Sequence, residues 1–436
     1  MRNRASILVG LLWCVVLLSL VVVGVLHTAR MDLLTGKNYG DKIQARYLAL
    51  AGVEKAKALL YKDAEDRSHS GKNHTGELYD AAAQFKEVEF GRGTFSVLRR
   101  ARPDEGGGLL YGIADEESRI NFNTADADML SKLQGMTPEL STAILAWRGQ
   151  GNIAGENEYY LSLHPPYKAR GAQFETLREL LMVRGMSSDL LLGRDVHQNG
   201  LLDSENATAD DFGWAEDLTV DSSVKNVSAT GQDRVNVQSA DEAALTAVHG
   251  ITAQIARAIV SYRGQHQFQS IADLLDVTPP QNNQNGRGGR GGQNNSNQTS
   301  DDASGATVID ENLLAEIADD VTVGSSDNQA GAVNINTACV DVLICLPGID
   351  RDLAQAIVQY RKSSGFFDNT AGLLKVDGMT REIFKQVAPL VTARSETFRI
   401  LSEGKVKSTG ALQRLQEIVR VNLDGVKTLS YREDDL

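Results

Sequence analysis

Residues 195–206 read DVHQNGLLDSEN and carry oxygen donors at the spacing of a calcium loop. Against the twelve-residue pattern, Asp195 takes the first ligand position, Asn199 the fifth and Asp203 the ninth. Gly200 supplies the sharp turn and Leu201 the backbone carbonyl between them. His197 at the third position is a poor oxygen ligand, and Asn206 stands where the pattern wants a bidentate Glu. Glu205, one place early, is the candidate to close the shell. Such a donor set suits Ca²⁺ better than Zn²⁺, which prefers nitrogen and sulfur. The same residues also read as an Asn-Gly turn in an acidic loop.

No other stretch carries reactive chemistry. His-Glu-x-x-His, Gly-x-Ser-x-Gly, phosphate-loop and Cys-x-x-Cys patterns are all missing, and the seven histidines are scattered. No catalytic residue is expected, and the chain does not read as an enzyme. Of the three cysteines, Cys14 lies in an apolar run, and Cys339 and Cys345 are expected on one helix as free thiols, too far apart to bridge.

The strongest pattern is an internal repeat. Residues 120–148, 235–263 and 333–361 align over 29 residues without a gap, and seven columns are identical, Asn121, Ala125, Leu130, Gly135, Ala143, Ile144 and Arg148 in the first copy. Thr124, Ser239 and Thr337 sit where an N-cap hydroxyl belongs, and Ser239 with Glu242 spells a capping box. Gly135, Gly250 and Gly348 end the first helix of each unit, and a second helix follows. This is a helix-hairpin-helix unit. Two of the units continue into a second half, at Gly185-Met186 and Gly378-Met379. The middle one runs into a Gly/Asn-rich stretch, 281–306, that reads as a disordered loop.

Helix-hairpin-helix units often bind DNA through hairpin amides, and a second glycine lets the phosphate approach. Here Thr137, Thr252 and Asp350 occupy that place. With 44 basic and 57 acidic residues the chain carries a net charge of −13, the wrong sign for a phosphate partner. No nucleic acid is expected.

Upstream, an uncharged stretch from Ala5 to Ala29 follows Arg2 and Arg4. Its core, residues 6–26, is long enough to cross a bilayer, which needs about 20. It is too long for a secretory signal peptide, and the flanking arginines place the N-terminus in the cytoplasm. A short basic leader abutting the apolar helix matches a type IV prepilin leader, with cleavage expected between Ala5 and Ser6. From Gly40 to about Ala64, Ile43, Tyr47, Leu50, Val53, Ala56 and Leu60 recur at helical spacing, so an amphipathic helix continues the span.

Glu87–Arg100 and Leu109–Ala114 read as short antiparallel strands. Phe398–Leu401, Leu415–Leu423 and Val426–Tyr431 are also β-like, with a turn at Asp424-Gly425. Two or three strands cannot bury a face alone. The expectation is one sheet on the long helix, its strands split by a large insertion; separate small sheets are the alternative. The fold class is therefore α+β. A pilin-like helix packs on a small antiparallel sheet, interrupted by an all-α helix-hairpin-helix (SAM-like) domain. The expected segments are a leader (1–5), a membrane helix (6–29) and the first pilin-like part (30–119). Hairpin units follow at 120–232, 233–330 and 331–394, and the closing strands at 395–436.

RINFNTAD at 119–126, EYYLSLHPPYKARGAQFETLRELLMVRGM at 158–186 and VNINTACVDVLICLPGI at 333–349 resemble general secretion pathway protein K, a family of minor pseudopilins of type II secretion. The likeness runs over nearly the whole chain. It implies an inner-membrane, single-pass protein with its bulk in the periplasm, at the tip of a short fibre that serves protein secretion. Its implied partners are minor pseudopilins of the I and J types, the major pseudopilin, the prepilin peptidase and the inner-membrane secretion platform. It also implies calcium in the helical domain, which adds weight to the Asp195 loop. After cleavage the fifth residue would be Gly10, where fibre-forming pilins carry a Glu that pairs with a neighbour's amine; a tip subunit needs none. The alternative is a membrane-anchored DNA receptor of the competence type, which needs fewer hairpin units and a basic face. A solitary membrane-tethered structural protein is the third reading.

Overall fold

A computed structural model describes residues 2–73, 76–195, 212–279 and 307–433. The chain opens with α1, Arg2–Ser70, one unbroken helix of 69 residues. At 1.5 Å per residue it is roughly 100 Å long. From Leu8 to Leu34 its large apolar side chains are exposed, and this part of the helix is long and apolar enough to cross a membrane.

The lower half of α1 lies on a seven-stranded antiparallel sheet. Its strands are β1 (Val88–Phe90), β2 (Gly93–Arg100), β3 (Leu109–Leu110) and β4 (Ala114–Asp115), then, far along the chain, β13 (Thr397–Val406), β14 (Leu412–Asn422) and β15 (Gly425–Arg432). The order is β1-β2-β13-β14-β15; β3 pairs with β2, and β4 pairs with β13. One sheet is thus built from both ends of the chain, as expected. The last hairpin turns at Leu423-Asp424, not Asp424-Gly425, because Gly425 already pairs with Asn422.

Val53, Ala56 and Leu60 of α1 pack on Val97, Ile400, Leu415 and Val419. The expected stripe needs one correction. Ala45, Leu48 and Ala49 are buried, while Ile43 and Tyr47 are exposed. Small residues line the buried face because the helix sits very close to the sheet: a Cβ on Gly404 would overlap the Ala45 carbonyl and the Ala49 amide. α1 also runs on past Ala64, where the expected amphipathic helix ends, and Arg67 in this extension is buried and paired with Asp63 at 2.9 Å.

Between β4 and β13 lies the insertion, three hairpin units around one continuous apolar core from Ile120 to Val391. It is not purely α. The strand pairs β5/β6 (Ile120–Asn121 and Leu218–Thr219), β8/β9 (Val235–Asn236 and Val321–Thr322) and β11/β12 (Val333–Asn334 and Val391–Thr392) close the units in parallel. Strand β7 (Ser223–Lys225) pairs with β10 (Asn328–Ala330) between them. The middle unit is also complete. Glu311–Ile317 forms its last helix beyond residues 280–306, which lie outside the described residues, as does the expectation of a disordered loop there.

Candidate functional sites

The hairpin turns are built the same way in every unit. Gly135, Gly250 and Gly348 stand at φ 80°, 86° and 72°, where a side chain is strained. Two residues on, Thr137, Thr252 and Asp350 are N-caps whose side chains accept the amides of Leu140, Ile255 and Leu353. The second hairpins repeat this with Ser187, Asp310 and Thr380, which take the amides of Leu190, Leu313 and Ile383. In each case the third amide of the helix is bonded to its own cap, which leaves one fewer donor for an anion at that helix start. The first helices start later than expected. Their N-caps are Asp126, Asp241 and Cys339. Thr124, Ser239 and Thr337 lie before them, so there is no Ser239–Glu242 capping box; the carboxylate of Asp241 accepts the Ala244 amide instead.

The other identical columns have structural roles. Arg148 donates to the carbonyls of Phe122 at 2.5 Å and Ala125 at 2.8 Å. Arg263 does the same for Val237 and Ala240, and Arg361 for Ile335. Asn121, Asn236 and Asn334 each accept the amide two residues on. These residues hold the turn after the first strand.

Of the calcium-loop residues only Asp195 is described. It is buried and follows a β-bridge between Gly193 and Phe212 that brings the two ends of the loop together. Asn199, Leu201, Asp203 and Glu205 lie outside the described residues. Ala5 and Ser6 lie inside α1, one turn from its start.

The cysteines do not share a helix. Cys339 caps Val340–Leu343, and Cys345 lies beyond it. Both are free and buried. The Cys339 thiol donates to Asp217 at 3.4 Å, and that of Cys345 to the Asp341 carbonyl at 3.3 Å. Burial lifts Cys339 well above the ordinary thiol range and Cys345 to about 12, so neither is a reactive thiolate. Burial also raises the Asp217 carboxyl, to about 6.

The sequence reading missed the polar hub where the chain leaves the sheet. Asp115, Glu116 and Glu117 are each at most 2 % exposed. Asp115 accepts from Asn334 at 3.2 Å, from Ser395 at 2.6 Å and from Thr337. Glu116 pairs with Arg399 at 2.7 Å and Arg119 at 3.8 Å, and accepts from Thr219 at 2.5 Å. Burial would raise its carboxyl, but the charges of Arg399 and Arg119 outweigh that and hold it below the usual range. Glu117 takes the amides of Ser223 and Thr397, both at 3.0 Å. Three consecutive acids therefore tie the returning strand β13 and its approach to the first unit, to β7 and to the third unit.

Comparison with known proteins gives partial likenesses. A family model described as a helix-hairpin-helix motif matches residues 231–279 and 328–392. The endonuclease/exonuclease/phosphatase family domain-containing protein 1 of Rattus norvegicus is 27 % identical over 163 residues, 37 % of this chain and 28 % of that protein. ComE operon protein 1 of Bacillus subtilis is 30 % identical over 73 residues, 17 % of this chain and 36 % of its own length. The chain thus spans well under half of these relatives. Among solved structures, the GspK-GspI-GspJ complex of the enterotoxigenic Escherichia coli type 2 secretion system contains a chain that is 11 % identical, with a TM-score of 0.40. That likeness covers 93 % of this chain and 98 % of the other.

Proposed function

We propose that this chain is a minor pseudopilin at the tip of a type II secretion pseudopilus, nucleating or capping the fibre and contributing to protein secretion across the outer membrane. One observation carries the reading. An exposed apolar span continues without a break into the half of α1 that seats on the sheet, and the outer face of that half still shows Tyr39, Ile43 and Tyr47 to solvent. A helix that is apolar on the face turned from its own sheet has room for a partner's helix. An insertion of roughly 270 residues, larger than a typical domain, would clash if every subunit of a helical stack carried it, which favours the tip.

The partners on this reading are the I- and J-type minor pseudopilins, with the major pseudopilin, the prepilin peptidase and the inner-membrane secretion platform. The bulk of the chain is periplasmic. It acts by assembly, not catalysis. In the helical domain, Asp195, Asn199, the Leu201 carbonyl, Asp203 and Glu205 would hold one structural Ca²⁺, whose charge would hold their loop together. The competence-type DNA receptor is the weaker reading, because the chain carries a net charge of −13 and one amide of each hairpin is taken by its cap.

N-terminal sequencing of the protein purified from membranes tests the processing step. The mature chain should begin at Ser6. A start near Met31, or a soluble mature protein, contradicts the reading.

A further inference from the structure

Asp115 and Glu117 differ from Glu116, which lies between them. Glu116 has two arginines, whereas neither neighbour has a cation within 4.0 Å among the described residues. Their partners are neutral: the Glu117 amide, the Asn334 amide and the Ser395 and Thr337 hydroxyls for Asp115, and two backbone amides for Glu117. Two adjacent buried carboxyls without a counter-ion do not both ionise at low cost. Their bonds are also what seats the insertion. Asn334 and Thr337 belong to the third hairpin unit, Ser223 opens β7, and Ser395 and Thr397 lie where the chain re-enters the sheet.

We propose that Asp115 and Glu117 share one proton and act as a pH-sensitive latch between the helical insertion and the pilin-like sheet, tight when the pair holds the proton and loosened when it is lost. The charged groups facing the pair fit this. On their own segment stand Glu116, already neutralised, and Arg119, which faces Glu116 and Glu216. Arg399 of β13 is committed to Glu116. Glu396 faces Arg394 at 3.7 Å. Arg102, after β2, lowers Asp115 from a distance, but its closest acid is Glu105 at 3.8 Å. The half-buried Tyr79 lies near Ser395, and its own hydroxyl is pushed up by burial and by Asp115. Burial raises both carboxyls, and on Glu117 the nearby Asp115 charge adds to it. A carboxyl raised in the folded state stabilises fully below its unfolded value, and that contribution is lost as pH rises through the folded one.

The test is the thermal unfolding of the full-length protein in detergent from about pH 5 to about pH 9, with its infrared spectrum at neutral pH. Wild type should lose Tm as pH rises, and show the carbonyl band of a protonated carboxyl. Asp217, itself raised to about 6, contributes to the same slope, so Asp217→Asn serves as background. On that background Glu117→Gln should remove about one proton from the linkage slope and weaken the infrared band. Asp115→Asn should do the same and stands in if Glu117→Gln fails to fold. A slope and a band unchanged in either folded variant would overturn the latch, as would a wild type with no such band.

Discussion

At the residue scale, the decisive groups are the hairpin caps. Thr137, Thr252 and Asp350 each satisfy the third amide of the helix they start, so a phosphate would find fewer donors there while approaching a chain of net charge −13. We expect no binding of duplex DNA at physiological salt, measured by fluorescence anisotropy on the detergent-solubilised protein. Micromolar binding that weakens steeply with added salt would show that the hairpins read phosphate after all. Thr252→Ala should cost about 1 kcal/mol of stability, the ordinary worth of a cap, without changing that result. The turn glycines were legible in the sequence, because only glycine is at ease at positive φ. The starts of the first helices were not. Ser, Thr and Asp are all good caps, and Thr124 and Ser239 lie in the turn after Asn121 and Asn236, whose side chains accept the amide two residues on.

At the element scale, α1 and the sheet depend on close approach. Gly404 leaves no space for a Cβ against Ala45 and Ala49. Gly404→Val should therefore push α1 off β13 and cost about 3 kcal/mol or more, in the range of severe overpacking, read as a drop in Tm. The outer face of α1 should be unaffected. The helix-sheet plan was legible from hydrophobic periodicity and the alternating strands. The choice of buried face was not, because Ala45, Ala49 and Gly52 carry little hydrophobic signal and owe their burial to packing distance. The last helix of the middle unit, Glu311–Ile317, was obscured by the polar stretch before it. The 195–206 loop also belongs to this scale. Millimolar calcium should raise Tm, with Kd on the order of 10⁻⁴–10⁻³ M as in extracellular modules. Asp195→Ala with Asp203→Ala should abolish most of that rise. An equal calcium shift in the double mutant would place the ion elsewhere.

At the scale of the whole molecule, both ends of the chain build one sheet, and everything between them hangs from a single exit and re-entry. Asp115-Glu116-Glu117 reads in sequence as a solvated acidic run. It is buried only because β13 returns beside β4 and brings Arg399, Ser395 and Thr397 onto it. No local pattern announces such a meeting of residues roughly 280 positions apart, well beyond any helix or hairpin spacing. On the proposed function the molecule is an anchor, a seat for neighbouring subunits and a bulky cap. That function stands or falls with assembly. Affinity purification of the tagged full-length protein from native membranes in mild detergent tests that most directly. I- and J-type minor pseudopilins should be recovered in comparable amounts, and lost when the exposed α1 residues Ile43 and Tyr47 are replaced by Asp. Recovery of the chain alone, or with both partners undiminished in that variant, would contradict it.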